Sequence, residues 1–401
     1  MIYLFCISIF YVIQTNSAKI TDSTNICFHR DYQVLFATNY NLLNSTENSR
    51  TAVKFLNDIY FRTLKPKIRN SILKNSLGFV WRFTTTWITM SLPHEFGHYL
   101  RTKQAGGDFG IEKITFPMIY GRLKLPDTAT PEDHTLALIG GFEANFITAR
   151  DVQRDFFQYG SLYNEELAIS FAHRIMYNLY AFLFTPLNPE DPGSWKEVIG
   201  DPITFTKLVW EFGGRSVFLQ DSTINRELVD FYKKSSYSSL LWNLFDMNFY
   251  REASSFFGDE LGGKKAKYLI GNEDKGWAYG TFFNTSVLGA ELYLNNYLRF
   301  NKKFFVVYLK YGFPFVNNGA GIFTKSLIDV RNFKADFGMD IWNQYYYGNG
   351  FAFNSSLKYF ISNQFIIMVQ PYWKSKGYLL GMPTNQCASI ILAVKYYFNK
   401  Y

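Results

Sequence analysis

The segment His94-Glu95-Phe96-Gly97-His98 joins residue types and spacing that could do chemistry. Two histidines four positions apart project from one face of an α-helix, one turn apart, so both can reach a single metal ion while Glu95 lies beside them. In such a site the two imidazoles hold zinc, and the carboxylate takes a proton from the water that attacks a peptide carbonyl. The chain has five histidines and two of them fall in this motif, which weighs against an ordinary polar helix face. Gly97 thins the helix at the motif, and the apolar residues ahead of it imply burial of a face that carries three polar groups. His94 and His98 are thus expected as zinc ligands and Glu95 as the general base.

A catalytic zinc takes a third protein ligand. Glu143 lies 45 residues after His98, on a segment where Gly140 and Gly141 permit close approach to the motif helix. Two histidines and a glutamate are a recurring catalytic set, so Glu143 is one candidate. His173, in Ala172-His173-Arg174, could stabilise the oxyanion of a tetrahedral intermediate or be a satisfied core histidine. His29 and His134 have no context that singles them out.

These residues need helices to position them. Helical spacing over 77–103 holds the motif, and Gly106-Gly107 stops it. A second helix is expected at Pro131–Tyr159, with Thr130 as N-cap, a third over 164–184 ended by Pro186 and Pro189, and a fourth over 226–256. Ahead of them, 41–49 reads as a loop and 53–64 as a short amphipathic helix.

Near Gly262 the apolar period changes to two, as in 334–341 and 351–361, with short polar turns such as Asn301-Lys302 and Ser362-Asn363 between segments. Six or seven antiparallel strands are expected between positions 277 and 401, several of about ten residues, the length that crosses a bilayer when tilted. The expected fold class is α+β with the two kinds segregated. A helical, zincin-like domain (76–260) follows a leader (1–18) and an N-terminal segment (19–75), and precedes an antiparallel β-barrel or meander (265–401).

Two resemblances refine this. The last segment alternates Ile390, Leu392, Val394, Tyr396 and Phe398 and ends on Tyr401, which resembles the closing strand of bacterial outer-membrane barrels. A soluble sandwich, or a sheet packed on the helices, would alternate as well. The motif helix, the later Gly140-Gly141-Phe142-Glu143-Ala144-Asn145-Phe146, and Pro186-Leu187-Asn188-Pro189-Glu190-Asp191-Pro192-Gly193 together resemble, over 77–200, the site-2 protease family of membrane metallopeptidases. That resemblance implies peptide hydrolysis at a zinc ion, with Asp191 at the position of the family's third ligand. The sequence departs from the family at Phe142, where the family has proline, and at Pro192, where it has glycine. Charges such as Arg150, Asp151, Arg154 and Asp155 would not cross lipid readily. An aspartate before Pro192 would also serve as an ordinary N-cap.

Composition sets the surroundings. Aromatic residues make up 19% of the chain, more than a plain soluble enzyme needs and suited to membrane-interface girdles. The net charge of +8 is scattered without a Lys/Arg stripe, so nucleic acid is not expected as a partner; it could favour anionic lipid headgroups or simple solubility. Residues 1–13 are apolar and Ala18 follows small residues, so a signal peptide, or an uncleaved anchor, and export are expected. Cys27 and Cys387 could bridge in an oxidising compartment, and no cysteine metal site is present in the sequence. The leading reading is an exported, membrane-associated zinc endopeptidase acting on polypeptide. The alternatives are an outer-membrane protein with a structural or relic zinc site, and a pore or ligand-binding barrel in which the motif is coincidence.

Overall fold

The computed structural model describes residues 33–38, 42–115, 118–183, 201–218, 224–257, 263–272, 274–301 and 303–397. The leader, Cys27, and the 184–200 segment with Asp191 lie outside the described residues.

Seven α-helices are described: α1 (Leu42–Asp58), α2 (Ser71–Gln104), α3 (Pro131–Tyr159), α4 (Asn164–Leu183), α5 (Asp201–Phe212), α6 (Arg226–Leu244) and α7 (Met247–Phe257). The motif helix α2 starts earlier than its periodicity implies, because the Asn70 side chain accepts from the Leu73 amide and caps it there. Arg101 and Lys103 face the carbonyl end of its dipole. α3 has the expected bounds, fixed by a Thr130/Asp133 capping box, Pro131 in its first turn and a left-handed Gly160 at its end. The expected helix 226–256 is two helices. Asp246 breaks it by accepting from the Asn248 amide, which starts α7, while its other oxygen pairs with Arg174. The expected loop at 41–49 is instead the start of α1, which ends in a π-helical turn at Ile59–Leu64.

The strands are β1 (Gln33–Ala37), the hairpin β2 (Asp108–Thr115) and β3 (Met118–Lys124), the short pair β4 (Ser161–Tyr163) and β5 (Gly263–Lys265), and β6 (Ile270–Gly271). Eight long strands follow: β7 (Lys275–Ser286), β8 (Gly289–Phe300), β9 (Lys303–Pro314), β10 (Asn317–Val330), β11 (Phe333–Gln344), β12 (Gly348–Phe360), β13 (Phe365–Lys374) and β14 (Cys387–Tyr397). Each of the eight pairs antiparallel with its neighbour in sequence, so the region is a meander, with one or two strands more than its alternation implied.

The expected barrel is corrected. The ten-stranded sheet runs β1-β14-β13-β12-β11-β10-β9-β8-β7-β6, and among the described residues β1 and β6 stand at its opposite ends without pairing to each other. It is not segregated from the N-terminal part either, since β1 pairs with β14 from Gln33↔Tyr397 to Ala37↔Ala393.

The helices cover one face of this sheet. Phe146 of α3 packs on Phe282 and Tyr293 at 5.5 and 4.9 Å, and Tyr297 donates to Gln153 of α3. Further along, α1, α3 and the sheet enclose a polar cavity of about 470 Å³. Ion pairs cross it: Arg50 to Asp155 and Glu166, Lys325 to Asp155, and Lys395 to Glu47.

Candidate metal centre

The site begins where α2 and α3 cross. A Cβ on Gly97 would lie 2.0 Å from the Gly140 carbonyl oxygen, and one on Gly140 would lie 2.4 Å from that of Gly97, so the two backbones touch as only glycines allow. A Cβ on Gly141 would strike the His94 ring at 2.5 Å. The glycines therefore seat the motif histidines directly against α3.

His94 and His98 are buried, and their Nε2 atoms are 3.1 Å apart. The third member is Asp201, the first residue of α5: its Oδ2 lies 3.1 Å from His94 Nε2 and 3.7 Å from His98 Nε2. The three ligand atoms lie within 4.8 Å of one another, and among the described residues no other such group of His, Cys, Asp and Glu forms. Burial would raise the Asp201 carboxyl, but hydrogen bonds with His94 and His98 outweigh it and hold the group well below the usual carboxylate range. Burial would lower His98, yet the hydrogen bond and charge of Asp201 raise it. His98 Nδ1 donates to the Ala137 carbonyl at 2.8 Å, which turns Nε2 toward the other two ligand atoms.

Glu95 is half-buried beside this trio. Burial raises its pKa, opposed by the neighbouring His94 and His98 and by a hydrogen bond from the Gly121 backbone. Gly121, on β3, sits so close that a Cβ there would meet Glu95 Oε2 at 2.4 Å. β3 pairs with β2 on one side, and no other described strand pairs with it. Among the described residues, this edge of β3 beside the carboxylate has no partner strand.

The other expected site residues lie elsewhere. Glu143 is turned away from the histidines: both its oxygens are taken by Arg101, at 2.6 and 2.7 Å, and Tyr378 and the Gly381 amide donate to it as well. A carboxylate so engaged is committed to a buried ion pair, and Asp201 occupies the place expected for it. His173 bonds Asn145, not the centre. Asp191 is outside the described residues.

Asp201 was missed because its signal is local and ambiguous. Asp201-Pro202, like Asp191-Pro192, reads as a helix start, and nothing in either pair shows which aspartate folds back 107 residues to His94. Compared with family models, curated proteins and solved structures, the chain matches none of them.

Proposed function

We propose that this protein is a membrane-associated zinc endopeptidase in which His94, His98 and Asp201 hold the metal and Glu95 is the general base. The observation that carries the reading is the convergence of three ligand atoms from α2 and α5 within 4.8 Å, beside a carboxylate that is not one of them. Two nitrogens and one oxygen suit zinc, and three protein ligands leave a fourth position for water or substrate, as catalytic sites do. Among the described residues, neither Glu143 nor His173 is placed to close that position. Bound there, zinc would supply Lewis-acid polarisation of a carbonyl and a lowered pKa for water.

The chain's own residues supply the rest. Glu95, with its pKa raised by burial, is suited to accept a proton from the attacking water and to return it to the leaving amide nitrogen. An extended peptide added to the open edge of β3 would lie past Glu95, with main-chain hydrogen bonds giving affinity without demanding particular side chains. The order of the motif helix and the glycine-bearing helix α3 adds the resemblance to site-2 proteases. Asp201 then stands in the role of the family's aspartate, ten positions beyond Asp191.

The membrane part of the proposal rests on the sheet. No helix among the described residues is long and apolar enough to cross a membrane. The strands from β7 to β14 are 10–14 residues long and form one broad sheet whose two faces differ in chemistry. Their face toward the helices carries charges, including the buried Glu291, Lys310, Asp336 and Lys395 and the partly buried Lys358. Their other face carries Leu309, Ile341, Phe351, Ile367, Ile390 and Leu392, each 41–63% exposed. Charged inside and apolar outside is the reverse of a water-soluble sheet and the pattern of a lipid-facing one.

The test is hydrolysis of an unstructured protein, such as casein, by the detergent-purified chain and its Glu95→Gln variant. Cleavage by the wild type and its loss, by roughly a thousandfold or more, in the variant are expected, since the general base contributes on the order of 10²–10⁴. Equal turnover by both would overturn the role of Glu95, and no turnover by the wild type would overturn the peptidase.

A further inference from the structure

His94 is held from its far side as well. Its Nδ1 lies 3.0 Å from Asn145 Nδ2, and Asn145 Oδ1 lies 2.8 Å from His173 Nδ1. The remaining nitrogen of His173, Nε2, is buried and has no hydrogen-bond partner, and the backbone of Thr89 lies beside the ring. Thr89 is five residues ahead of His94 on α2, so this chain of contacts leaves α2, crosses α3 and α4, and returns to α2. Its side chains are all buried: His94 is 1% exposed, Asn145 2% and His173 4%. Three polar side chains in a core are costly unless each hydrogen has an acceptor.

We propose that Asn145 and His173 are positioning residues that hold His94 as the Nδ1–H tautomer with Nε2 aimed at the metal. The proposal rests on the metal reading above and goes beyond it. Ligation through Nε2 uses that lone pair, so a neutral His94 carries its proton on Nδ1 and needs an acceptor there. Asn145 Oδ1 can be that acceptor: the two ends of a carboxamide exchange places by a half-turn about its last side-chain bond. With the oxygen toward His94, the amide nitrogen donates to His173 Nδ1. His173 then carries its proton on Nε2, on a ring that has the Thr89 backbone beside it. This amide orientation gives both facing nitrogens, His94 Nδ1 and His173 Nδ1, a complementary partner. The opposite choice has Asn145 donating to His94 Nδ1, which leaves the ring proton on the nitrogen that must bind metal.

Two further observations agree. Burial pushes His173 down to about 3, so its ring is neutral and can accept at one nitrogen while donating at the other. The second ligand is oriented by the same logic, since His98 gives Nδ1–H to the Ala137 carbonyl and presents Nε2. His173 therefore acts through Asn145 and His94, not on an oxyanion.

The experiment is zinc affinity of the full chain in detergent, by competition with a chromogenic chelator, for wild type, Asn145→Ala and Asn145→Asp. Imidazole nitrogen NMR of the zinc-loaded wild type accompanies it. Asn145→Ala is expected to weaken zinc about 10–100-fold, the usual effect of losing an outer-shell partner. Asn145→Asp keeps the acceptor for His94 and is expected to bind at least as tightly as wild type. In the loaded wild type His173 is expected to be protonated on Nε2. Affinity of Asn145→Ala within threefold of wild type, an Asn145→Asp as weak as Asn145→Ala, or His173 protonated on Nδ1 would each overturn the relay. The spectrum needs no substitution, so it decides even if a variant does not fold. A wild type that binds no zinc removes the metal reading and the relay together, whereas zinc binding indifferent to Asn145 removes the relay alone.

Discussion

At the scale of single residues, the site depends on atoms that are absent as much as on those present. Gly141 lets the His94 ring lie against α3, and an added methyl would push that ring off its line to Asp201 and His98. Gly141→Ala is accordingly expected to weaken zinc binding by more than tenfold while leaving the helix content unchanged, checked by chelator competition and circular dichroism. Gly97→Ala forces the two backbones apart and is expected to destabilise the fold by about 1–3 kcal/mol in denaturant unfolding. His94, Glu95 and His98 were legible because helical spacing alone brings them together. Asp201 was not, because its proximity is a property of the chain's path and not of its neighbours. Asn145 stood in a segment singled out for Glu143, and its amide carries no mark of what it faces.

At the scale of elements, α2 is pinned to α3 by the Arg101–Glu143 pair, both residues fully buried, with Tyr378 from the β13–β14 connection bonded to the same carboxylate. Glu143→Gln breaks a buried ion pair three residues from His98 and leaves the Arg101 charge without its counterion. A loss of about 3–5 kcal/mol is expected in equilibrium unfolding. Unchanged stability would mean that the pair does not hold the helix. Helix ends with side-chain signals could be read closely: Thr130, Pro131 and Gly160 bound α3 as the sequence implies. The division of 226–256 into α6 and α7 could not, because it depends on Asp246 finding Arg174 across the core.

At the scale of the whole molecule, the sheet has one charged face covered by helices and one apolar face left exposed. Ile390→Lys on the outer face is expected to weaken association with lipid vesicles. Equal association of variant and wild type in a flotation assay would remove the lipid reading of that face. The enclosed ion pairs respond to acid. Burial would raise Asp155, but Lys325, Arg50 and Arg154 outweigh it and hold its pKa far below the usual value. The folded chain then binds fewer protons than the unfolded one below about pH 4, so the stability from Asp155 is complete above that pH and is lost as pH falls through it. Asp155→Asn should lower the melting temperature at pH 7 and flatten its decline below pH 4. Alternation showed strands with one polar and one apolar face. It did not show that the sheet stays open with helices against its polar side, or that β1 joins it from ahead of the helices, since register between distant strands leaves no local trace.

The most direct test of the metal centre is zinc stoichiometry of the purified chain and its Asp201→Ala variant after equilibration with zinc and removal of the excess, measured by atomic emission. One zinc per wild-type chain is expected, with most of it lost from a variant that stays folded. No retained zinc in the wild type, or equal zinc in both, would contradict a centre built from His94, His98 and Asp201.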